Sequence, residues 1–114
     1  MTLIDPGQPQ AVVVSDGPGL RVALSGDLDL AVRGQLDDVL EKVAAAPPGP
    51  VVVDLTAVTF LGSDALGFLA RLRRDLAPGG FEVTLVGPNR IARRALQVSG
   101  FDRVFPIEPG SDQA

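Results

Sequence analysis

Residues 51–69 read VVVDLTAVTFLGSDALGFL, and the fold turns on how they are parsed. The opening Val51-Val52-Val53-Asp54-Leu55 shows no polar alternation, as expected of a strand buried on both faces. A short hydrophobic bridge follows, Val58-Thr59-Phe60-Leu61, and Gly62 then breaks the run. Ser63 opens a helix in which Leu66, Leu69, Leu72 and Leu76 recur on one side. A strand that feeds a helix in this way is half of a crossover unit, the building block of a parallel sheet. The junction carries one hydroxyl, Ser63, at the mouth of the crossover.

The same grammar extends in both directions. Upstream, residues 11–15 form a short apolar strand, Asp16-Gly17-Pro18-Gly19 is dense turn chemistry, and residues 20–25 alternate as a half-buried strand does. Gly26-Asp27-Leu28-Asp29 is expected to break that strand, with Asp29 as the N-cap of a helix. Val32, Leu36, Val39, Leu40 and Val43 give this helix its apolar stripe, and Arg33 falls on an outer face. It stops at Ala46, before Pro47-Pro48-Gly49-Pro50. Downstream of the second helix, Pro78-Gly79-Gly80 ends it and residues 81–86 form a strand. Pro88-Asn89 starts a third helix with Ile91, Ala95 and Val98 inward, and Gly100 stops it. Val104-Phe105 is expected as the last strand. The order is β-β-α-β-α-β-α-β: an α/β class domain with a mainly parallel mixed sheet, crossover helices and an N-terminal antiparallel hairpin strand. One domain is expected over residues 11–108, between tails at 1–10 and 109–114.

Composition excludes more than it includes. The 114 residues suffice for one core. The chain has no His, Cys, Tyr or Trp, which removes imidazole bases, thiol nucleophiles, zinc thiolates and stacking tyrosines. It has no Walker-type or dinucleotide-binding glycine motif. A serine nucleophile would lack its base, so the chain reads as no enzyme, with no cofactor. The absence of Cys fits the cytoplasm, residues 1–10 lack the pattern of a signal peptide, and no apolar run has the length of a membrane span. Residues 1–64 carry nine acids against three bases, a net of −6; residues 65–114 carry seven Arg against five acids, a net of +2. The arginines cluster as Arg71, Arg73, Arg74 and as Arg90, Arg93, Arg94. Without interleaved aromatics these read as solvated helix faces rather than a nucleic-acid groove.

Three polar candidates remain. Ser63 is expected as the N-cap of its helix. That role is compatible with phosphorylation, because a cap hydroxyl is exposed and precedes amides able to hold a phosphate. A phosphate there adds about −1.5 to −2 charge and repels Asp64 and any acidic partner group. Asp27 and Asp29 could ligate a metal or act as a general acid/base pair, but residues two apart leaving a strand need not face each other, no third ligand lies nearby, and cap and turn chemistry accounts for them. Asp54 ends a central strand, where a receiver domain carries its phosphoacceptor. The acidic pair and distal lysine of a receiver are missing here.

Three stretches together resemble the STAS domain, specifically the bacterial anti-sigma factor antagonists. Gly26-Asp27-Leu28-Asp29, followed by the Val32/Leu36 helix, is similar to the family's element after its second strand. Residues 51–67 are similar to its signature, Asp-Leu-Ser, a spacer, Phe-apolar, then Asp-Ser-Ser-Gly-Leu-Gly. Leu85-Val86-Gly87-Pro88 with Leu96, Gly100-Phe101, Val104 and Phe105 resembles the closing strand, helix and strand. The likeness runs from about Ala11 to Ile107.

The resemblance implies a partner-switching protein. Its unphosphorylated form would bind an anti-sigma factor, often a GHKL-type serine kinase, and so free a sigma factor. Phosphorylation of Ser63 would end the complex, and a phosphatase of the PP2C type would reset it. The implied docking surface comprises Gly26, Asp27 and Asp29; Phe60, Gly62, Ser63, Asp64 and Leu66; and Arg71 and Arg74 further along the helix. A STAS accessory subunit of a lipid-type ABC transporter, or a non-phosphorylated STAS scaffold, is the alternative. The chain departs from the family where the switch lies: Asp-Ser-Ser-Gly is here Gly62-Ser63-Asp64-Ala65.

Overall fold

The computed structural model describes residues 10–15, 19–29 and 32–110. Most of both expected tails and most of the 16–19 turn lie outside the described residues. Five strands form one sheet: β1 (Gln10–Ser15), β2 (Leu20–Leu28), β3 (Val51–Leu61), β4 (Val83–Val86) and β5 (Ile107–Glu108). Three helices join the parallel strands: α1 (Arg33–Ala45), α2 (Ser63–Leu76) and α3 (Arg90–Ser99). The strands lie side by side in chain order, β1-β2-β3-β4-β5. β1 pairs antiparallel with β2 and every other pair is parallel. The mixed sheet with its opening hairpin is the architecture the sequence implies.

Packing follows the apolar periods. Val22, Leu24, Val53, Leu55, Leu69, Leu72, Leu85 and Leu96 are almost fully shielded from water. Val32, Leu36 and Val39 bury the inner stripe of α1, and Phe68 joins the leucines of α2. The Ala11 amide donates to Gln35 Oε1 at 3.0 Å, tying the edge strand to α1.

The central strands correct two sequence expectations. First, β3 is not buried on both faces. Val51, Val53 and Leu55 are buried, while Val52 and Asp54 are only half-buried. Second, Gly26-Asp27-Leu28 does not break β2, which continues to Leu28, and β3 continues to Leu61. Two register irregularities make this possible, between Ala23 and Ser25 and between Gly26 and Asp27. Ala23 pairs with Asp54 but Ser25 with Ala57; Gly26 pairs with Val58 but Asp27 with Phe60. Each step places an extra residue on β3, as a bulge does. Gly26, with φ of 78°, supplies the left-handed backbone that the bend requires.

Each bulge is secured by an aspartate and a threonine. The Asp54 carboxylate accepts from the Thr56 amide at 2.9 Å and the Thr56 hydroxyl at 2.7 Å. Arg21 Nη2 donates to its other oxygen at 2.8 Å. Burial pushes the Asp54 pKa up, but the two Thr56 bonds and Arg21 outweigh it and hold the carboxyl below its ordinary value. Asp54 is therefore a structural anion. In the second bulge the Thr59 hydroxyl donates to Asp27 Oδ1.

The chain's end also differs from expectation. Val104-Phe105 is not a strand. After the left-handed Gly100, Phe101–Arg103 form a 3-10 turn and Phe105 anchors in the core against Phe101, ring centroids 5.5 Å apart. The strand comes three residues later, at Ile107–Glu108, and β4 is shorter than expected. α3 is rotated from its expected setting: Ala92 and Leu96 are buried, whereas Ile91 is 58% and Val98 76% exposed. Asn89 fixes this rotation. Its Oδ1 caps the Ala92 amide and its Nδ2 donates to the Val58 carbonyl, both at 2.8 Å.

Candidate functional site

β2 and β3 end together, with Leu28 opposite Leu61, at the carboxyl edge of the parallel sheet. Such edges are where open α/β sheets place their working residues. Beyond Leu61 the chain turns at Gly62, whose N–H donates to the Leu28 carbonyl at 2.8 Å. That bond extends the ladder by one rung and fixes the start of α2. Gly62 has φ −83° and ψ −179°, extended backbone open to any residue. The glycine is there for space. A Cβ at position 62 would lie 2.8 Å from the Leu28 carbonyl oxygen and 3.2 Å from the Phe60 ring.

The N-cap of α2 is Gly62, and no side chain caps the helix. Ser63 is instead the first helical residue and is exposed. This corrects the cap assignment: the Ser63 hydroxyl is not committed to satisfying its own helix. On the other side of the edge, the Asp29 carbonyl accepts from the Val32 amide at 3.1 Å, and α1 begins at Arg33 after an N-cap at Val32. Asp29 is thus not the cap residue of α1.

The two helix starts are side by side, and an ion pair links them. Arg33 Nε and Nη2 both donate to Asp64 Oδ1, at 3.2 and 3.0 Å. Asp64 is 20% exposed and Arg33 64%. By periodicity alone Arg33 is no more than part of an outer helix face. The signal available was the acid at position 64, because a fixed charge beside Ser63 needs a counter-ion.

A shallow cleft of about 210 Å³ between α1 and α2 is bordered by Arg33, Ser63, Asp64, Gly67 and Arg71. Phe60, near the end of β3, is 47% exposed, with its ring against Gly62. Gly26 and Asp27 lie on the adjacent stretch of β2, and Asp29 just beyond it. Leu66 is half-buried and packs on the core. Arg74 is the residue the structure does not bring in. It stands beside Asp75 at 3.6 Å and borders a separate apolar cleft at the far end of α1 and α2. Among the described residues no cluster of three or more acidic side chains is arranged to hold a metal, and no helix is long and apolar enough to cross a membrane.

An exposed hydroxyl at the strand-to-helix junction of a five-strand mixed sheet is the arrangement of a STAS domain. The family model for the STAS domain matches residues 9–114, and the chain belongs to that family. Among its relatives, the anti-sigma-F factor antagonist RsfB of Mycobacterium tuberculosis is 32% identical over 97 residues, which cover 84% of this chain and 79% of that protein. RsfA, an anti-sigma-F factor antagonist of the same organism, is 32% identical over 91 residues, 78% of this chain and 71% of that protein. The crystal structure of an anti-sigma factor antagonist from Mycobacterium paratuberculosis superposes with a TM-score of 0.75 at 33% identity, covering 96% of this chain and 93% of that one. Unphosphorylated SpoIIAA, at 18% identity and a TM-score of 0.74 over 93% of this chain and 90% of its own, shares the fold.

Proposed function

We propose that this chain is an anti-sigma factor antagonist that docks through the carboxyl edge of β2 and β3 and the start of α2. Its partner is an anti-sigma factor of the GHKL serine-kinase type, and occupation of that partner frees a sigma factor. The observation that carries this reading is the setting of Ser63. It is exposed at the first position of α2, on a junction held by the Gly62–Leu28 bond and flanked by the exposed Phe60 ring.

Ser63 is the switch. In the partner's active site its Oγ attacks the γ-phosphorus of a nucleoside triphosphate. The new O–P bond replaces the β–γ bridge, the hydroxyl proton passes to a base of the kinase, and the nucleoside diphosphate leaves. The product places about −1.5 to −2 charge where the free hydroxyl docked, and desolvating that charge breaks the complex. The antagonist supplies the surface and the acceptor oxygen; the catalytic groups belong to the partner, and a phosphatase of the PP2C type restores the hydroxyl.

The test is capture from a lysate of the source organism on wild-type, Ser63→Ala and Ser63→Asp baits, read by mass spectrometry. Wild type and Ser63→Ala should retain a GHKL-type kinase that Ser63→Asp holds at least about tenfold more weakly, a loss of ~1.4 kcal/mol or more. Equal retention of one partner by all three would refute the switch. Retention of a transporter ATPase or permease would move the chain to the accessory-subunit class.

A further inference from the structure

The Arg33–Asp64 pair has the wrong form for a structural tie and the right one for an exchangeable one. Both guanidinium bonds converge on a single carboxylate oxygen, Oδ1 of Asp64. A two-oxygen fork, the stronger arrangement, is not made. The arginine is mostly exposed, so little packing holds it in place. It projects from the first residue of α1 into the cleft that Ser63 borders. Across that cleft stands Arg71, whose one ion pair among the described residues is a 4.0 Å contact to Asp75. Gly67 lies between Ser63 and Arg71 on the same row of α2, and a side chain there would find open space.

We infer that Arg33 is the phosphate-holding residue of this protein: a phosphoryl group on Ser63 draws the Arg33 guanidinium away from Asp64. This rests on the reading of Ser63 as the phosphoacceptor. A phosphoserine offers nearly twice the charge of a carboxylate and three acceptor oxygens, so it wins the competition for one mobile guanidinium. Arg71 contributes from further off. Eight residues separate it from Ser63, about 12 Å along the helix axis, which makes it the outer charge and Arg33 the holder. Asp37 also borders the cleft and opposes the phosphate, so the exchange is a contest rather than a simple capture.

The exchange gives Asp64 a purpose. In the unphosphorylated protein its charge is compensated by Arg33, and the docking surface presents a neutral pair. Once Arg33 turns to the phosphate, Asp64 stands uncompensated beside it. One phosphorylation event then unmasks a second negative charge on the same surface. The acid that departs from the family pattern amplifies the switch instead of blunting it.

The experiment needs no kinase and no partner. Phosphoserine is installed at position 63 by genetic encoding, and the phosphate is titrated by ³¹P NMR in otherwise wild-type protein and in Arg33→Gln. A guanidinium at hydrogen-bond distance favours the dianion, so the second phosphate pKa should lie about half a unit or more lower with Arg33 present. The Arg33 Nε–H resonance should shift on phosphorylation of the wild-type chain, to a position distinct from that in unphosphorylated Asp64→Asn, where the carboxylate is lost and no phosphate replaces it. Equal phosphate titration in the two proteins, with an Arg33 Nε–H signal indifferent to phosphorylation, would overturn the inference. If Arg33→Gln fails to fold, the wild-type Nε–H shift decides alone. Failure here leaves the partner-capture result untouched, so the latch and the switch fall separately.

Discussion

Replacing Gly62 by alanine isolates the close approach on which the site is built. The added Cβ would meet the Leu28 carbonyl oxygen at 2.8 Å, the Phe60 ring at 3.2 Å and the Asp29 Cα at 3.5 Å. Phe60 is exposed and can swing aside. The Leu28 carbonyl cannot, because it belongs to the ladder and accepts the Gly62 N–H itself. Overpacking against fixed backbone costs ~1–3 kcal/mol. The backbone at 62 suits alanine, so no conformational strain adds to this, and the stiffer unfolded chain returns about 0.4–1 kcal/mol. The net expectation is a loss of up to about 2.6 kcal/mol, centred near ~1.3 kcal/mol. Urea unfolding reads it as a lower midpoint with unchanged slope, and heating as a drop of roughly 4–8 °C for each kcal/mol. Gly67→Ala is the matched control: it lies mid-helix on α2 with nothing within 4 Å of the new Cβ, and should gain ~0.5–1 kcal/mol. The expected order of stability is Gly67→Ala, wild type, Gly62→Ala. A Gly62→Ala protein as stable as wild type would refute the steric account of the junction.

Two other regions make independent predictions. Asp54 has a folded pKa below its unfolded one, so its contribution is present above the ordinary carboxylate value of 3.8 and is lost as pH falls through the lowered value. Urea unfolding across the acid range should therefore show wild type losing stability there more steeply than Asp54→Asn. On α3, Ile91→Gln and Val98→Gln should each change stability by less than ~0.5 kcal/mol, whereas Leu96→Ala should cost about 2–5 kcal/mol. Unfolding curves of the three variants check the rotation of the helix directly.

The parts of the fold legible in the sequence are those where one signal dominates. The valine run of β3 with a glycine and a helical leucine series behind it has a single reading, and so has Gly100 at the end of α3. α3 itself does not. Its ten residues offer two apolar sets, Ile91-Ala95-Val98 and Ala92-Leu96, and counting favours the larger. The structure buries Ala92 and Leu96, half-buries Ala95 and leaves Ile91 and Val98 out, because Asn89, bonded to both the Ala92 amide and the Val58 carbonyl, sets the rotation, and a helix-to-strand bond of that kind leaves no periodic trace. The extension of β2 through Gly26 and Asp27 was hidden for a similar reason. Both residues usually end a strand, yet a bulge puts that chemistry inside one. At the site, the position of Ser63 was legible and its cap role was not. A serine before Asp-Ala-Leu suits the cap position, but the rung from Gly62 to Leu28 shifts the helix start by one residue.

The spatial order of the strands has a consequence for how the chain is made. Because every strand lies next to its neighbour in sequence, each new segment leaving the ribosome finds its template already in place. The hairpin of β1 and β2 can close first, and β3, β4 and β5 then add one at a time, each after a single helix. No strand must wait for a later one to be inserted between it and its partner, which removes the long loop closures that slow parallel sheets. The Ser63 junction needs only β2, β3 and α2, so the proposed docking surface can assemble before β4, α3 and β5 have added to the sheet.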